Sequence, residues 1–345
     1  MNSSPQKQAV LGCLLGTAVG DALGLPAEGL SRMRVSAMKH GEHHRFICGR
    51  GMFSDDTEHT LMLAAALIAH PSDAAAMQRA LGWNLRWWLL ALPAGVGLST
   101  AKAILRLWLG FPAAKAGVYS AGNGAAMRSA IIGVVFGDDA PKRQAFALAA
   151  CRLTHTDPRA VESALLVAEA ASMAAQHHPT HETLPALEKL IVSDEMKARF
   201  ATLKTALSTH KSVLEYAEEI GCGCGVSGFA PNTVAVALFA WLRHRGDFES
   251  AVRSVIQCGG DTDTVAAITG AISGAETGET GIPRAWIDGI FEWPRSVNYI
   301  RRVADALVSG NRHAPRYFWP AVLLRNLFFL VIVILHGFRR MLPPY

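Results

Sequence analysis

The sequence predicts an all-α protein that forms one large helical domain and ends in an apolar helix. Apolar residues recur at helical spacing in eight segments, at residues 61–70, 74–92, 101–109, 142–151, 160–175, 233–244, 265–273 and 296–308. Alternating runs of β-branched residues, which are typical of strands, are scarce. Glycine and proline clusters fall between the segments and would end each helix.

The composition is that of a globular chain with a large core. Of the 345 residues, 50% are hydrophobic and 18% are charged, which favours a large folded domain over a disordered chain. The net charge is +5, but lysine and arginine are scattered and form no long basic run. We therefore expect a small anionic ligand and no nucleic acid. Six cysteines without a recognisable secretory signal predict reduced thiols in a cytoplasmic protein, which we expect to be a monomer.

The middle of the chain, residues 176–220, is its most polar part and contains no motif. We interpret it as peripheral helices, and we expect the glycine-rich segments on either side of it to form site loops. A boundary is predicted near Gly310 and Asn311, where the apolar tail begins. The predicted units are a main domain, residues 1–310, and a tail helix within residues 311–345.

The tail contains an apolar stretch at residues 317–338 that nearly reaches the length of a membrane span. Arg325 interrupts it, and an arginine at the centre of the apolar layer costs about 2.5–3.5 kcal/mol on insertion scales. The uninterrupted part, residues 327–335, is too short to cross a bilayer alone. We therefore predict a helix that docks on the protein or lies at a membrane interface with weak affinity, with a true anchor as the alternative.

Two acidic clusters lie about two hundred residues apart, each at the start of a predicted helix. They read Ser54-Asp55-Asp56-Thr57 and Asp261-Thr262-Asp263-Thr264. Helix capping could explain either cluster, since serine is a preferred N-cap and aspartate suits the first turn. Together they supply more oxygen than capping uses, and crowded carboxylates repel one another unless a cation compensates them. We expect the clusters to meet and to bind a hard cation such as Mg²⁺, in a two-ion centre because adjacent helical residues diverge by about 100°.

Other segments contain candidate residues for chemistry or binding. A glycine-rich run at residues 16–24 permits close approach of a helix or ligand, and Glu28 follows it as a candidate general acid or base, or as an ordinary surface carboxylate. Residues 120–124 are glycine-rich and precede a helix that we predict to begin near Ala125, an arrangement that favours phosphate binding. His155, taken alone, is more typical of a core or capping histidine.

Five motifs in this order resemble the ADP-ribosylglycohydrolases, a family that includes the dinitrogenase reductase activating glycohydrolase and the ADP-ribosyl-acceptor hydrolases. The resemblance spans about residues 9–308. The motifs are Gly20-Asp21-Ala22-Leu23-Gly24 with Glu28, Ser54-Asp55-Asp56-Thr57, Ser120-Ala121-Gly122-Asn123-Gly124-Ala125-Ala126-Met127-Arg128, Thr154-His155 and Gly259-Gly260-Asp261-Thr262-Asp263-Thr264.

The resemblance implies an orthogonal all-α domain with two Mg²⁺ ions, which Mn²⁺ could replace. The implied metal ligands are Ser54, Asp55, Asp56, Asp261, Asp263 and Thr264. The implied catalytic residues are Glu28, Asp55 and Asp56. The implied substrate-binding residues are Gly95, Gly97, Ser120, Gly122, Asn123, Gly124, His155, Gly225, Gly228 and Phe229.

The function expected from this resemblance is Mg²⁺-dependent hydrolysis at the anomeric carbon of the terminal ribose, which releases ADP-ribose from modified proteins or small acceptors. The chain departs from nitrogenase-type members, which often have Asp-x-Gly where it has Gly95-Val96-Gly97. This departure makes serine-linked or O-acyl ADP-ribose at least as good a candidate substrate as the arginine-linked form. The alternatives are a non-catalytic ADP-ribose-binding or toxin-neutralising protein, and a membrane-tethered scaffold.

Overall fold

The computed structural model describes residues 4–38 and 41–341. Within these ranges the chain forms α-helices and three short 3₁₀ turns, with isolated bridges but no β-strand, which confirms the all-α prediction. The helices are α1 Pro5–Gly24, α2 Arg32–Ala37, α3 Asp55–Ala69, α4 Ala74–Leu90, α5 Leu98–Trp108, α6 Ala113–Ala116, α7 Ala130–Val135, α8 Ala140–Arg152, α9 Pro158–Ala175, α10 Thr180–Glu188, α11 Asp194–Ser208, α12 Val213–Glu219, α13 Ala230–Arg243, α14 Phe248–Ile256, α15 Thr262–Thr277, α16 Arg284–Asp288, α17 Val297–Val308 and α18 Pro320–Met341.

Each predicted helical segment overlaps a helix, and the polar middle segment forms α10, α11 and α12. One prediction of a helix start is wrong. The helix expected near Ala125 begins at Ala130, and Asn123–Arg128 forms a 3₁₀ turn instead. The physical reason lies in Arg128, whose guanidinium binds the Gly124 carbonyl, the group that an α-helix would pair with the backbone N–H of residue 128.

Helices α1 and α15 form the centre of the molecule. Glycines recur every four residues on one face of α1, and this face lies directly on α15. A Cβ atom on Gly16 would stand 2.0 Å from the carbonyl oxygen of Gly270, so only glycine permits this approach. Gly12 faces Gly274 whereas Gly24 faces Thr262, so the helices run antiparallel. The pairing brings the end of α1 to the start of α15, where the second acidic cluster lies.

The C-terminal helix α18 docks on the main body. Phe329 and Ile332 pack in a small apolar cluster with Leu25, Phe46 and Met52. Among residues 4–38 and 41–341, two helical segments are long and apolar enough to cross a bilayer. The first comprises α1 and the 3₁₀ turn after it, and its apolar part is buried in the core from Ala9 onward. The span in α18 is only 28% buried. The boundary near residue 310 stays a prediction, as does the cytoplasmic location.

Candidate active site

The two acidic turns meet in space. The Thr264 hydroxyl donates a hydrogen bond to Asp56 Oδ2 over 3.2 Å, and the Ser54 hydroxyl donates to the same oxygen over 3.0 Å. Ser54 also caps α3, because its hydroxyl accepts the backbone N–H of Asp56. The capping interpretation is therefore correct for Ser54 but does not account for the aspartates.

Asp21 on α1 positions the first of these turns. Its carboxylate accepts the backbone N–H groups of Ser54, at 2.9 Å, and Thr57, at 3.1 Å, together with the Thr57 hydroxyl at 2.6 Å. Asp21 is fully buried, and burial raises its pKa to about 7 even though these hydrogen bonds lower it. Asp21 belongs to the glycine-rich motif at residues 20–24, but its position in the sequence predicts no role for it. Only the spatial approach of residues 21 and 54 identifies that role.

Asp261 precedes α15 but makes no capping hydrogen bond. Its backbone N–H donates to the Val226 carbonyl over 2.8 Å, and its Oδ2 accepts the Asn123 amide over 2.6 Å. The neighbouring Gly260 has a φ of +84°, and a Cβ there would stand 2.0 Å from the Val226 carbonyl oxygen. Glycine is thus required for the turn that directs the Asp261 carboxylate toward Asn123.

Glu28 lies in a loop that is hydrogen-bonded to Gly260, next to the second acidic turn. It follows a short 3₁₀ turn, Leu25–Ala27, and its side chain is exposed. Backbone hydrogen bonds flank it, from Gly29 to the Gly260 carbonyl at 2.7 Å and from Gly260 to the Leu30 carbonyl at 2.8 Å. The loop that contains Glu28 is therefore attached to the second acidic turn.

A cavity of about 240 Å³ opens above both turns. It is lined by Glu28, Asp55, Gly95, Gly97, Leu98, Ser99, Thr100, Gly122, Asn123, Gly124, His155, Asp261, Asp263 and Thr264. Leu98, Ser99 and Thr100 were not predicted, and the only signal for them was their position directly after the Gly95–Gly97 motif. The structure thus brings most of the predicted site residues around one opening.

The remaining predicted substrate residues lie beside the cavity and do not line it. Ser120 Oγ accepts the Gly122 N–H over 3.3 Å, and the Gly228 carbonyl accepts the Asn123 N–H over 3.0 Å. Gly225 packs against Gly260. Two cations lie near the ring of Phe229, with the guanidinium carbons of Arg159 and Arg199 at 5.4 Å and 5.7 Å from its centre.

A larger cavity, of about 740 Å³, lies elsewhere, against Gln8 and residues 246–249 and 279–284. Its carboxylates already have partners: Asp247 caps α14, Glu249 pairs with Arg253, and Glu279 pairs with Arg301. The smaller cavity, which has the converging acids, is therefore the candidate active site.

His155 is buried and neutral. Burial, followed by the charge of Arg128, lowers its pKa to about 3. Arg128 donates to the Thr154 hydroxyl at 2.7 Å, so that hydroxyl can donate its own proton to His155 Nδ1, at 2.9 Å. This network assigns the ring proton to Nε2, the nitrogen that lies beside Gly122 and Gly124. His155 therefore offers a neutral N–H donor beside the glycine loop.

The acidic residues fit a hard cation. Asp56 Oδ1 and Asp263 Oδ1 are buried and have no hydrogen-bond partner. Burial raises the pKa of both groups well above the usual range, and neighbouring carboxylates raise it further. Among residues 4–38 and 41–341, no three His, Cys, Asp or Glu side chains stand close enough to hold an ion by themselves. Mg²⁺ tolerates this arrangement because it keeps several water ligands and accepts hydroxyl oxygens.

Comparison with known proteins decides the family. The model of the ADP-ribosylglycohydrolase family matches residues 2–316, which is most of the chain. The chain belongs to the ADP-ribosylglycohydrolase family. A solved structure named ADP-ribosylglycohydrolase-related protein complex has the same fold, with a TM-score of 0.66 and 27% identity, and covers 89% of this chain and 99% of its own.

Two relatives have informative names. The chain is 28% identical to the ADP-ribosyl-[dinitrogen reductase] glycohydrolase of Rhodospirillum rubrum, over 87% of this chain and 95% of the relative. It is 27% identical to the ADP-ribosylarginine hydrolase Tri1 of Pseudomonas putida, over 86% and 76% of the two chains. As a member of the family, the chain is a glycosidic-bond hydrolase, and the family supports removal of ADP-ribose from modified acceptors as its reaction.

Proposed function

We propose that the protein is a Mg²⁺-dependent hydrolase that cleaves the bond at the anomeric carbon of the terminal ribose and releases ADP-ribose. The observation that supports this proposal is that the two acidic turns meet beside one cavity and that each turn has a buried carboxylate oxygen without a hydrogen-bond partner. A non-catalytic ADP-ribose-binding protein would not need this accumulation of costly carboxylates.

The residues that would hold Mg²⁺, or Mn²⁺ in its place, all have a side-chain oxygen and lie on the two acidic turns. They are Ser54, Asp55, Asp56, Asp261, Asp263 and Thr264. Two such ions, when bound, supply Lewis-acid charge stabilisation and a template for the ribose hydroxyls and for water. Asp21 keeps the first turn in place, and Asn123 orients the Asp261 carboxylate.

The substrate would be held mainly by the opposite wall of the cavity. The Nε2–H of His155 can donate to an uncharged or anionic oxygen without the cost of titration, because this ring stays neutral at physiological pH. Gly122 and Gly124 leave the space beside this donor open. A neutral N–H donor beside an open space suits a ribose oxygen or a diphosphate oxygen of the substrate.

Glu28 is the proposed proton carrier. Its side chain is exposed at the cavity edge, so it exchanges protons with solvent more readily than the buried aspartates do. It would give a proton to the leaving atom of the acceptor or take one from the attacking water, as carboxylates do in glycoside hydrolysis.

We infer that the acceptor is not restricted to arginine. A guanidinium leaving group pairs best with a carboxylate, but the turn at residues 95–100 that borders the cavity presents glycine, valine, leucine, serine and threonine. The leaving groups of serine-linked and O-acyl ADP-ribose do not need a carboxylate partner, so these substrates fit the uncharged turn at residues 95–100. The name of the Pseudomonas putida relative, an ADP-ribosylarginine hydrolase, keeps the arginine linkage as the alternative.

The test is release of ADP-ribose from arginine-, serine- and acetyl-linked substrates with Mg²⁺ and after chelation. We expect turnover only with the metal, and Asp263→Asn should lower it at least about 100-fold because it removes a proposed ligand. The exposed Asp194 provides the matched control, Asp194→Asn, with unchanged turnover. Mg²⁺ should also raise the melting temperature of the wild type more than that of Asp263→Asn. Full turnover in metal-free protein would refute the proposal, and titration with ADP-ribose that shows binding without release would favour the non-catalytic alternative.

A further inference from the structure

The C-terminal helix α18 presents its apolar side to the outside and its polar side to the protein. Arg325 and Asn326 are 3% and 0% exposed, whereas Leu324 and Leu335 are 64% and 60% exposed. Phe328, Val331 and Phe338 are also exposed and recur at helical spacing with the two leucines. We call these five exposed residues of α18 the tail face. A helix in water shows the opposite arrangement, so the outer side of α18 is built for an apolar environment.

The polar residues of α18 attach it firmly to the body. Arg325 forms an ion pair with the buried Glu292, with its Nε at 3.0 Å from Oε2, and donates to the Phe53 carbonyl over 2.6 Å. The Asn326 amide donates to the Ala91 carbonyl over 2.8 Å. A membrane-spanning orientation would break these bonds and move Arg325 into the hydrocarbon layer. The helix therefore offers its tail face while it stays docked.

Aromatic side chains of the body extend the apolar surface on one side of α18. Trp319, which directly precedes the helix, lies 5.5 Å from Trp87, and Trp87 lies 6.2 Å from Trp83, measured between ring centres. Trp83 and Trp87 are both exposed. Tryptophan is enriched where proteins meet the headgroup layer of a bilayer, because its ring is apolar and its N–H is polar.

The charged residues of the segment that contains α18 are of one sign. The exposed Arg312 and Arg316 precede α18, and Arg339 lies at its far end. Residues 306–345 contain no aspartate or glutamate. A second copy of the chain on this face would bring arginines against arginines, whereas anionic lipid headgroups would neutralise them.

From these contacts and charges we infer that the protein binds the surface of a bilayer that contains anionic lipid, with α18 docked on the body and the tail face in the headgroup layer. This binding is separate from the proposed hydrolysis, because the residues of the tail face do not line the active-site cavity. It would place the enzyme next to acceptors at a membrane.

The test is co-sedimentation of the full-length protein with vesicles of phosphatidylcholine alone and of phosphatidylcholine mixed with phosphatidylglycerol. We expect binding to the mixed vesicles to be at least about tenfold tighter. The double variant Leu324→Glu/Leu335→Glu should lose at least about tenfold in affinity for the mixed vesicles. Val192→Glu is the matched control, since Val192 is even more exposed than the two leucines and lies on the loop between α10 and α11, and the binding of this variant should not change.

The inference is overturned if the full-length protein does not sediment with mixed vesicles, or if the double variant binds as well as the wild type. A dimer in sedimentation that the double variant loses, without vesicle binding, would assign the tail face to a second copy instead. Resistance of the bound protein to a carbonate wash would show a spanning helix and overturn the docked geometry. Release of ADP-ribose from a soluble substrate should be equal in all three proteins, so failure of vesicle binding is distinguishable from failure of the proposed function.

Discussion

At the scale of single residues, the site depends on carboxylates whose burial is costly. Asp21, Asp56 and Asp263 all have raised pKa values, and burial is the largest cause in each case. Asp21 differs from the other two because the Ser54 N–H satisfies its Oδ1, and the Thr57 N–H and hydroxyl satisfy its Oδ2. It therefore supports the first acidic turn, whereas Asp56 and Asp263 each leave one oxygen available.

Asp21→Asn should lower the stability of the protein by about 1–3 kcal/mol, because an amide NH₂ would then face an N–H donor in a buried position. Loosening of the turn should also lower ADP-ribose release. Urea unfolding and the release assay measure both effects. Asp139→Asn is the control: Asp139 caps α8 at the surface, where asparagine serves as well. Equal stability of the two variants would contradict the proposed role of Asp21.

His155 gives a pH dependence of stability whose sign follows from its lowered pKa. The unfolded chain takes up a proton on this ring near pH 6.5, whereas the folded chain does so only near pH 3. His155 therefore leaves the free energy of unfolding unchanged above pH 6.5. Below that pH it lowers this free energy as the pH falls, by at most about 1.4 kcal/mol per pH unit.

His155→Gln should remove this contribution, so the unfolding free energy of the variant should fall less steeply between pH 7 and pH 5. Urea unfolding at several pH values in this range measures the slope. His181→Gln, at an exposed position, should keep the slope of the wild type. Parallel curves for the wild type and His155→Gln would show that the ring is protonated as easily in the folded chain as in the unfolded one.

At the scale of helices, the α1–α15 pair determines where the two acidic turns meet. The two backbones are in direct contact at glycines. The positions of these glycines therefore determine the register of the two helices. Helical spacing of apolar residues predicted most helices, because this signal is local. It did not predict the 3₁₀ turn at Asn123–Arg128, since that turn depends on the contact of the Arg128 side chain with the Gly124 carbonyl.

Gly16→Ala should destabilise the protein by at least about 1–3 kcal/mol. The added methyl group would collide with the Gly270 carbonyl and push the two helices apart. Gly337→Ala is the matched control, a helical glycine in α18 whose Cβ would meet nothing within 4 Å. It should stabilise the protein by about 0.5–1 kcal/mol through helix propensity. Urea unfolding compares the two. A Gly16→Ala variant as stable as the wild type would show that the helices can separate without cost.

At the scale of the whole molecule, a buried charge network connects the C-terminal helix to the active site. Glu292 accepts the backbone N–H of Phe53 over 3.1 Å, and Arg325 donates to the carbonyl of the same residue. Phe53 directly precedes Ser54, the first residue of the metal-binding turn proposed above. Glu58 extends the network, since it pairs with Arg295 and accepts the Trp88 N–H over 2.5 Å. The family match ends at residue 316, so the tail provides support that lies outside the matched part of the chain.

Arg325→Met should cost about 3–5 kcal/mol of stability, because Glu292 would be left buried without its charge partner. Adding Glu292→Met should recover part of this loss, since the double variant contains no unpaired charge. A double-mutant cycle in urea unfolding measures the coupling. Arg284→Met breaks an exposed ion pair with Asp288 and should cost less than about 1 kcal/mol. Strict additivity of the Arg325 and Glu292 changes would contradict the network.

The sequence by itself determined the helical class, the two acidic turns at helix starts and the position of Glu28, because each depends on spacing or residue type along a short segment. Only the tertiary structure showed that Asp21 supports the turn at Ser54, that residues 98–100 border the cavity and that α18 faces outward with its apolar side. Each of these depends on contacts between side chains that are far apart in the chain. Helical periodicity carries no information on which distant helix a face will meet, so packing and buried charge pairs decide it.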